Sequence, residues 1–254
     1  MMALATTMAW ILLAAMPAGA PDVHAILAPQ RQRATEADFS ATGHLVRVDA
    51  GGARTSDAVT VKGHGFPGVL RILVNITSPP PAREKILLEV RPSGQDVIRI
   101  AHPGDRAPAT LPLEKWSEGP LGPGFSYEDF LDQHYFWPGQ TVLDEVKYGA
   151  RDCDLVKSTP GAADKTQYSE VKTWLDHAIG FPVYMEKTVK GTGAVKEFTF
   201  YGLRHNGGVW SASQVEEKTR GQAGSTLLIV DRGTAKANLG LKDFSLDQLT
   251  HFQD

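Results

Sequence analysis

Residue types able to do chemistry are present in this chain, but their spacing does not assemble them. Eight histidines run from His24 to His251 without an H-E-x-x-H or H-x-H pair and without a C-x-x-C, so the local spacing that makes a zinc site readable is missing. No serine sits in a G-x-S-x-G elbow, the strained turn that exposes a hydrolase nucleophile. Cys153 is the only cysteine, and its neighbours Asp152 and Asp154 disfavour a thiolate; a small buried residue is expected there. Glu128-Asp129 and Glu216-Glu217 are adjacent carboxylates, and sequence neighbours on a helix or strand point in different directions, so neither forms an acid/base pair. Both read as solvated surface, with Glu128-Asp129 complementing a helix dipole. Gly191-Thr192-Gly193-Ala194-Val195-Lys196 lacks the third glycine and the following helix of a phosphate loop, and reads as a hairpin turn. No catalytic residue, metal ligand or cofactor is therefore expected; a hydrolase would need the fold to bring a triad or a metal site together.

What the chain does space regularly is apolar surface. Leu70, Ile72, Val74 and Ile76 share one face at a period of two, as do Ile86, Leu88 and Val90. Together with Phe198, Phe200, Leu228 and Val230 from the C-terminal half, Leu70, Ile72, Val74, Ile86, Leu88 and Val90 are the candidate lining of an apolar groove able to hold a lipid or acyl chain. The same residues suit an ordinary packed core, and a one-residue register slip would exchange the two faces.

Those faces need strands to carry them. Besides residues 70–76 and 85–91, strand-like alternation occupies residues 44–49, 58–62, 96–101, 141–148, 153–158, 170–176, 183–189, 195–203, 210–219 and 226–231. Ala50-Gly51-Gly52, Arg91-Pro92-Ser93-Gly94, Lys190-Gly191-Thr192-Gly193 and Asn206-Gly207-Gly208 fall between them as hairpin turns. Links this short imply antiparallel neighbours, and nothing resembles a βαβ unit. The class is mainly β, with few helices. Residues 26–37 form a short helix if Pro29 sits in its first turn. Ser126-Tyr127-Glu128-Asp129 and Ser245-Leu246-Asp247-Gln248 each place a hydroxyl three residues before a carboxylate or amide, the signature of a helix start; two helices of about two turns each are expected to dock apolar faces.

The 254 residues, 42% hydrophobic and 22% charged, suit one globular β domain, with Gly119-Pro120-Leu121-Gly122-Pro123-Gly124 as an internal loop. A net charge of -3 without charge runs excludes a strong nucleic-acid partner. The apolar run from Met8 to Met16, followed by Ala18-Gly19-Ala20 and Val23-His24-Ala25, reads as a secretory signal. Because Pro21 follows the first small-x-small site, cleavage is expected after Ala25, leaving residues 26–254 as a single mature domain in the periplasm. No cysteine near the cut means no N-terminal lipid.

Several segments in order resemble the outer-membrane lipoprotein-sorting family, the LolA-like proteins. They are Glu36-Ala37-Asp38-Phe39-Ser40-Ala41-Thr42-Gly43, Gly124-Phe125-Ser126-Tyr127-Glu128-Asp129-Phe130, Val171-Lys172-Thr173-Trp174-Leu175-Asp176 with Gly180-Phe181-Pro182-Val183, and Gly224-Ser225-Thr226-Leu227-Leu228-Ile229-Val230. Asn238-Leu239-Gly240-Leu241 and Phe244-Ser245-Leu246-Asp247-Gln248-Leu249 complete the series. The resemblance implies a strongly curved antiparallel sheet forming a half-closed barrel, with short helices plugging its open side and an apolar interior that takes up acyl chains. It also implies a monomeric, non-catalytic carrier of lipoproteins, an inner-membrane transporter that releases them and an outer-membrane acceptor. A short N-terminal helix carrying Pro29, and the lack of any Arg matching the family's lid-contacting basic residue, depart from the pattern. The alternative is an envelope sensing or scaffold module of the same fold that binds a regulator or a misplaced lipoprotein.

Overall fold

The structure is a computed structural model that describes residues 21–120 and 124–252. The fifteen strands are β1 (Asp38–Val48), β2 (Arg54–Phe66), β3 (Val69–Ser78), β4 (Glu84–Val90), β5 (Val97–Ala101), β6 (Ala109–Thr110), β7 (Gly139–Tyr148), β8 (Arg151–Thr159), β9 (Tyr168–Asp176), β10 (Phe181–Val189), β11 (Val195–Tyr201), β12 (Arg204–Asn206), β13 (Val209–Ser211), β14 (Gln214–Thr219) and β15 (Ser225–Ala235). Two α-helices, α1 (Val23–Thr35) and α2 (Leu246–Thr250), lie near the ends of the described chain.

Thirteen strands make one antiparallel sheet in the order β6-β5-β4-β3-β2-β1-β15-β14-β11-β10-β9-β8-β7, and β12 and β13 pair separately. The chain starts in the middle of the sheet and steps outward to the β6 edge. It then crosses to the opposite edge at β7 and steps back until β15 closes on β1. The crossing segment between β6 and β7 therefore has to span the open side of the sheet. Its side chains do so from inside: Leu111, Trp116, Phe125, Tyr127, Leu131, Tyr135 and Trp137 are buried in one cluster with Leu45, Val74, Ile86, Leu88, Val90, Met185 and Phe198 from the strands. The sheet is open, and this crossing plug fills most of its concave side.

Where the β1–β15 seam closes, the register shifts between Thr42 and Gly43. A Cβ on Gly43 would stand 1.9 Å from the Ile229 carbonyl oxygen, so only glycine admits this approach of the two strands. On the convex face, Leu73, Leu87 and Ala101 pack under Phe244 and Leu249, which explains why every residue of β4 is buried. Lys85 completes this layer by donating to the carbonyl oxygens of Gln248 (2.6 Å) and His251 at the end of α2, as cations favour a helix C-terminus.

Several sequence expectations change here. The strand expected over residues 210–219 is two strands: the Ser213 N–H donates back to the Tyr201 carbonyl (3.1 Å). Gly202, at φ 59 and against Ser213, lets the β12–β13 hairpin fold out of the sheet. In place of a two-turn helix after Ser126 there are two single 3-10 turns, Tyr127–Phe130 and Gln133–Phe136, broken at Asp132, which adopts φ 47. The helix expected over residues 26–37 starts earlier, because Asp22 caps it by accepting the His24 N–H (2.9 Å). Pro29 consequently sits in its interior rather than its first turn. The expected leader lies outside the described residues as far as Ala20, and so does the centre of the Gly119 to Gly124 loop; α1 begins within the last residues of that leader.

Glu128 and Asp129 are buried, not solvated. The Asp129 carboxylate accepts the Ser126 N–H (2.8 Å), the Ser126 hydroxyl (2.8 Å) and the Tyr168 hydroxyl (2.6 Å). It also pairs with Lys196 and, at 3.4 Å, with Lys187. Burial alone would raise its pKa, but the charges of Lys196 and Lys187 and the hydrogen bonds outweigh that and hold the carboxyl well below the usual range. Glu128 accepts from Thr166, from the Gln167 N–H (2.8 Å) and from Gln133 (2.8 Å), while Tyr127 donates to Glu84 on β4 (2.7 Å). Asp129→Asn leaves two lysines buried against a neutral group and is expected to lower unfolding stability by about 3–5 kcal/mol in denaturant titration; an unchanged midpoint would show that the lysines find other partners. Burial pushes the Asp96 carboxyl, in the β4–β5 turn, up to about 7 despite the hydrogen bond from the Arg91 N–H. A pKa raised on folding stabilises fully below the unfolded value of about 3.9 and is lost as pH rises through the folded one. Stability should thus fall by up to about 4 kcal/mol between pH 4 and 7, and Asp96→Asn should flatten that slope.

Candidate functional site

The inward strand faces are already occupied. Val74, Ile86, Leu88, Val90 and Phe198 are buried in the main core, and Leu70, Ile72, Phe200 and Leu228 are half-buried against it. Cross-strand pairing stacks Leu70 on Val90, Ile72 on Leu88 and Val74 on Ile86, so the alternation places these residues on a common face, where the plug covers them. Val230 alone among the ten candidates lines open space. It borders a cavity of about 720 Å³ at the end of the half-barrel that the plug does not fill.

Two strands, helix α1, a turn and a hairpin build that cavity. Phe39 and Ala41 of β1 and Val230, Gly233 and Ala235 of β15 form one wall. Helix α1 roofs it with Pro29, Gln32, Arg33 and Glu36. The turn before β10 contributes Ile179, Gly180 and Phe181, and the β12–β13 hairpin contributes Arg204, Asn206, Val209, Trp210 and Ser211. Phe181 makes an edge-to-face contact with Phe200 at 6.0 Å, which joins the cavity wall to the core behind it. The volume lies within the roughly 300–1,000 Å³ of small-molecule sites, and the lining has their apolar majority with a few polar groups.

The α1 roof is seated largely by polar contacts. Leu27 is fully buried, with Val23 and Ile26 half-buried beside it. Gln30 donates to the Gly180 carbonyl. Arg31 donates to the Tyr135 carbonyl (2.9 Å) and to Gln140 (2.6 Å), tying the helix to the plug and to β7. Arg33 donates to Gln30 (2.7 Å) and lies over the Phe181 ring at 4.7 Å.

Other readings resolve plainly. Cys153 is fully buried, and burial raises its thiol pKa. Glu217 is buried, and burial raises its carboxyl pKa near Lys196 and Asp129; it belongs to the plug network rather than to the surface. Among the described residues no cluster of three or more His, Cys, Asp or Glu could hold a metal ion, and no helix is long and apolar enough to cross a membrane. The cavity residues of α1 and the hairpin escape sequence reading because neither segment is apolar. Only the Asn206-Gly207-Gly208 turn marked the hairpin.

An open antiparallel sheet, a crossing plug and a roofing N-terminal helix define the LolA-like half-barrel fold, and solved structures share it. A domain described as an outer membrane lipoprotein-sorting protein from Vibrio parahaemolyticus is 19% identical with a TM-score of 0.79, covering 90% of this chain and 99% of that one. A DUF1329 family protein from Desulfovibrio piger is 17% identical with a TM-score of 0.77, over 90% and 99%. A LolA superfamily protein from Nitrosomonas europaea is 16% identical with a TM-score of 0.70, over 91% and 100%. A family model described as that of an uncharacterized protein matches residues 70–251, and the chain belongs to that family. No curated protein matches the sequence.

Arg31 is the latch that can be tested without touching the cavity. Arg31→Ala should speed amide hydrogen exchange across residues 26–35 by about tenfold or more, since two hydrogen bonds from a charged group are lost, while β8 to β10 stay protected. Equal acceleration in the sheet would mean that α1 is not a separable lid.

Proposed function

We propose that this protein is a periplasmic, non-catalytic carrier of the lipoprotein-sorting type, which shields an acyl chain of a lipidated protein or another lipid-bearing ligand in the cavity beneath α1. The single observation that carries this reading is the 720 Å³ apolar-walled space left in an otherwise self-filled half-barrel. The likeness in fold to a lipoprotein-sorting domain supports it.

The energetics suit the task. Each methylene moved out of water contributes about 0.8 kcal/mol, so about ten buried methylenes supply roughly 8 kcal/mol, the scale of micromolar affinity before ordering costs. Affinity of that order lets a carrier release its cargo, and shielding and release require no bond to be made or broken. In this reading the cargo comes from an inner-membrane releasing transporter, passes to an outer-membrane acceptor, and is carried by a monomer exported through the N-terminal signal.

Native mass spectrometry of protein recovered from periplasm should show an acyl lipid bound, and Val230→Trp, which fills the cavity wall, should lower binding of a fluorescent fatty acid by at least about tenfold with the fold intact. Protein that is lipid-free and binds no fatty acid would overturn the reading.

A further inference from the structure

The cavity is apolar along its walls, but the charges around it are unequally satisfied. Two of its three carboxylates, Asp38 and Asp231, are held by histidines, and the third, Glu36, only by a neutral amide. Asp38 accepts the N–H groups of Asn238 (2.9 Å) and Leu239 (3.0 Å) and contacts His64 at 3.2 Å. Asp231 pairs with His44 at 2.9 Å. Glu36 accepts from Gln32 at 3.1 Å. The cations lack charged partners: among the described residues Arg33, Arg204 and Lys236 make no ion pair within 4 Å, although all three line the cavity.

Arg33 is the telling one. It projects from the roof, has accessible surface, and is held against the apolar Phe181 face and by neutral Gln30 instead of by a carboxylate. Its side chain is exposed at the cavity and the carboxylate whose charge acts on it, Asp132, makes no ion pair with it, so an incoming anion would meet a guanidinium that no carboxylate contacts. Its planar fork suits the paired oxygens of a carboxylate or phosphate. A merely apolar ligand would leave three cations unpaired beside it.

We infer that the cavity takes a single-chain amphiphile with an anionic head, the chain lying along Phe39, Ala41 and Val230 and the head group meeting Arg33, with Arg204 and Lys236 adding positive charge at the same site. The inference rests on the acyl-chain reading and deepens it by naming the head-group chemistry, an oxyanion that either a carboxylate or a phosphate supplies. Arg204 sits on the exposed β12–β13 hairpin, so it can be changed without disturbing the core.

The test uses the full chain with the neutral dye N-phenyl-1-naphthylamine bound, displaced by dodecanoate, dodecyl phosphate, dodecanol or dodecyltrimethylammonium, each below its micelle concentration. At least one of the two anions should displace the dye at about tenfold lower concentration than dodecanol, and the better of them tells carboxylate from phosphate. Arg33→Gln should remove most of that advantage while leaving dodecanol unchanged, Arg33→Lys should keep part of it, and Arg204→Gln should reduce it with the fold undisturbed. Dodecanol or the cationic amphiphile matching the anions would overturn the inference and leave the acyl-chain reading standing. Equal weakening of all four by Arg33→Gln would likewise overturn it, showing that Arg33 only seats the roof. Failure of every amphiphile, and of the dye itself, to bind would instead remove the acyl-chain reading.

Discussion

Asp129 between Lys187 and Lys196 is the fixed point from which the interior of this half-barrel is organised. An open sheet of thirteen strands has a concave face that neither a second sheet nor barrel closure covers. The chain covers it with its own crossing segment, which has little regular structure and cannot rely on ladder hydrogen bonds for position. Four consecutive residues supply that position instead. Ser126 closes the turn onto Asp129, Tyr127 reaches Glu84 on β4, and Glu128 holds the backbone entering β9. Asp129 gathers Tyr168, Lys187 and Lys196 from β9, β10 and β11. Buried charges cost more than apolar contacts to assemble. Their geometry, however, is satisfied only when strands from both halves of the sheet are in register, which aromatic packing alone would not require.

Filling the interior in this way decides where anything else can go. Trp116, Phe125, Tyr135 and Trp137 take the space that the inward faces of β3, β4 and β11 would otherwise offer to a ligand. The remaining space lies at the end where β1 meets β15, which the plug does not reach. Here the bulge at Gly43, the kink at Gly202 and the protruding hairpin each take backbone away from the regular sheet. A confined cavity favours one chain with a defined head over the several chains that an unfilled half-barrel could admit.

The strand pattern was legible because a half-buried antiparallel sheet writes itself at a period of two. The alternation in residues 70–76 and 85–91 identifies β3 and β4 and the residues that share a face on each, whereas the face that points inward and the stacking of Ile72 on Leu88 follow only from the strand pairing. The two-residue β6 and the polar β12 carry no such period. Glu128-Asp129 misled for a physical reason: adjacent carboxylates are usually solvated, and the cations that bury this pair lie 58 and 67 residues away from Asp129. The cavity was the least legible feature. Its roof and hairpin are polar in sequence, and a void is defined by what neighbouring segments fail to fill.

On the proposed carrier reading, the roof is where packing becomes a means of exchange. Most of the interior is locked by fully buried side chains and the Asp129 network, so opening it would mean unfolding the sheet. Helix α1 has one fully buried apolar side chain, Leu27, with Val23 and Ile26 half-buried beside it, and is otherwise held by hydrogen bonds from Gln30 and Arg31 to carbonyl and amide oxygens. Water can replace such bonds at a net cost of roughly 0.5–1.5 kcal/mol each, or up to about 3 where the donor is charged, well below the stability of a domain. Pro29 in the helix interior lowers the cost further by removing one backbone hydrogen bond. Helix α1 can thus be lifted at far lower cost than the sheet, and on the proposed reading a ligand would enter or leave while the thirteen strands keep their register.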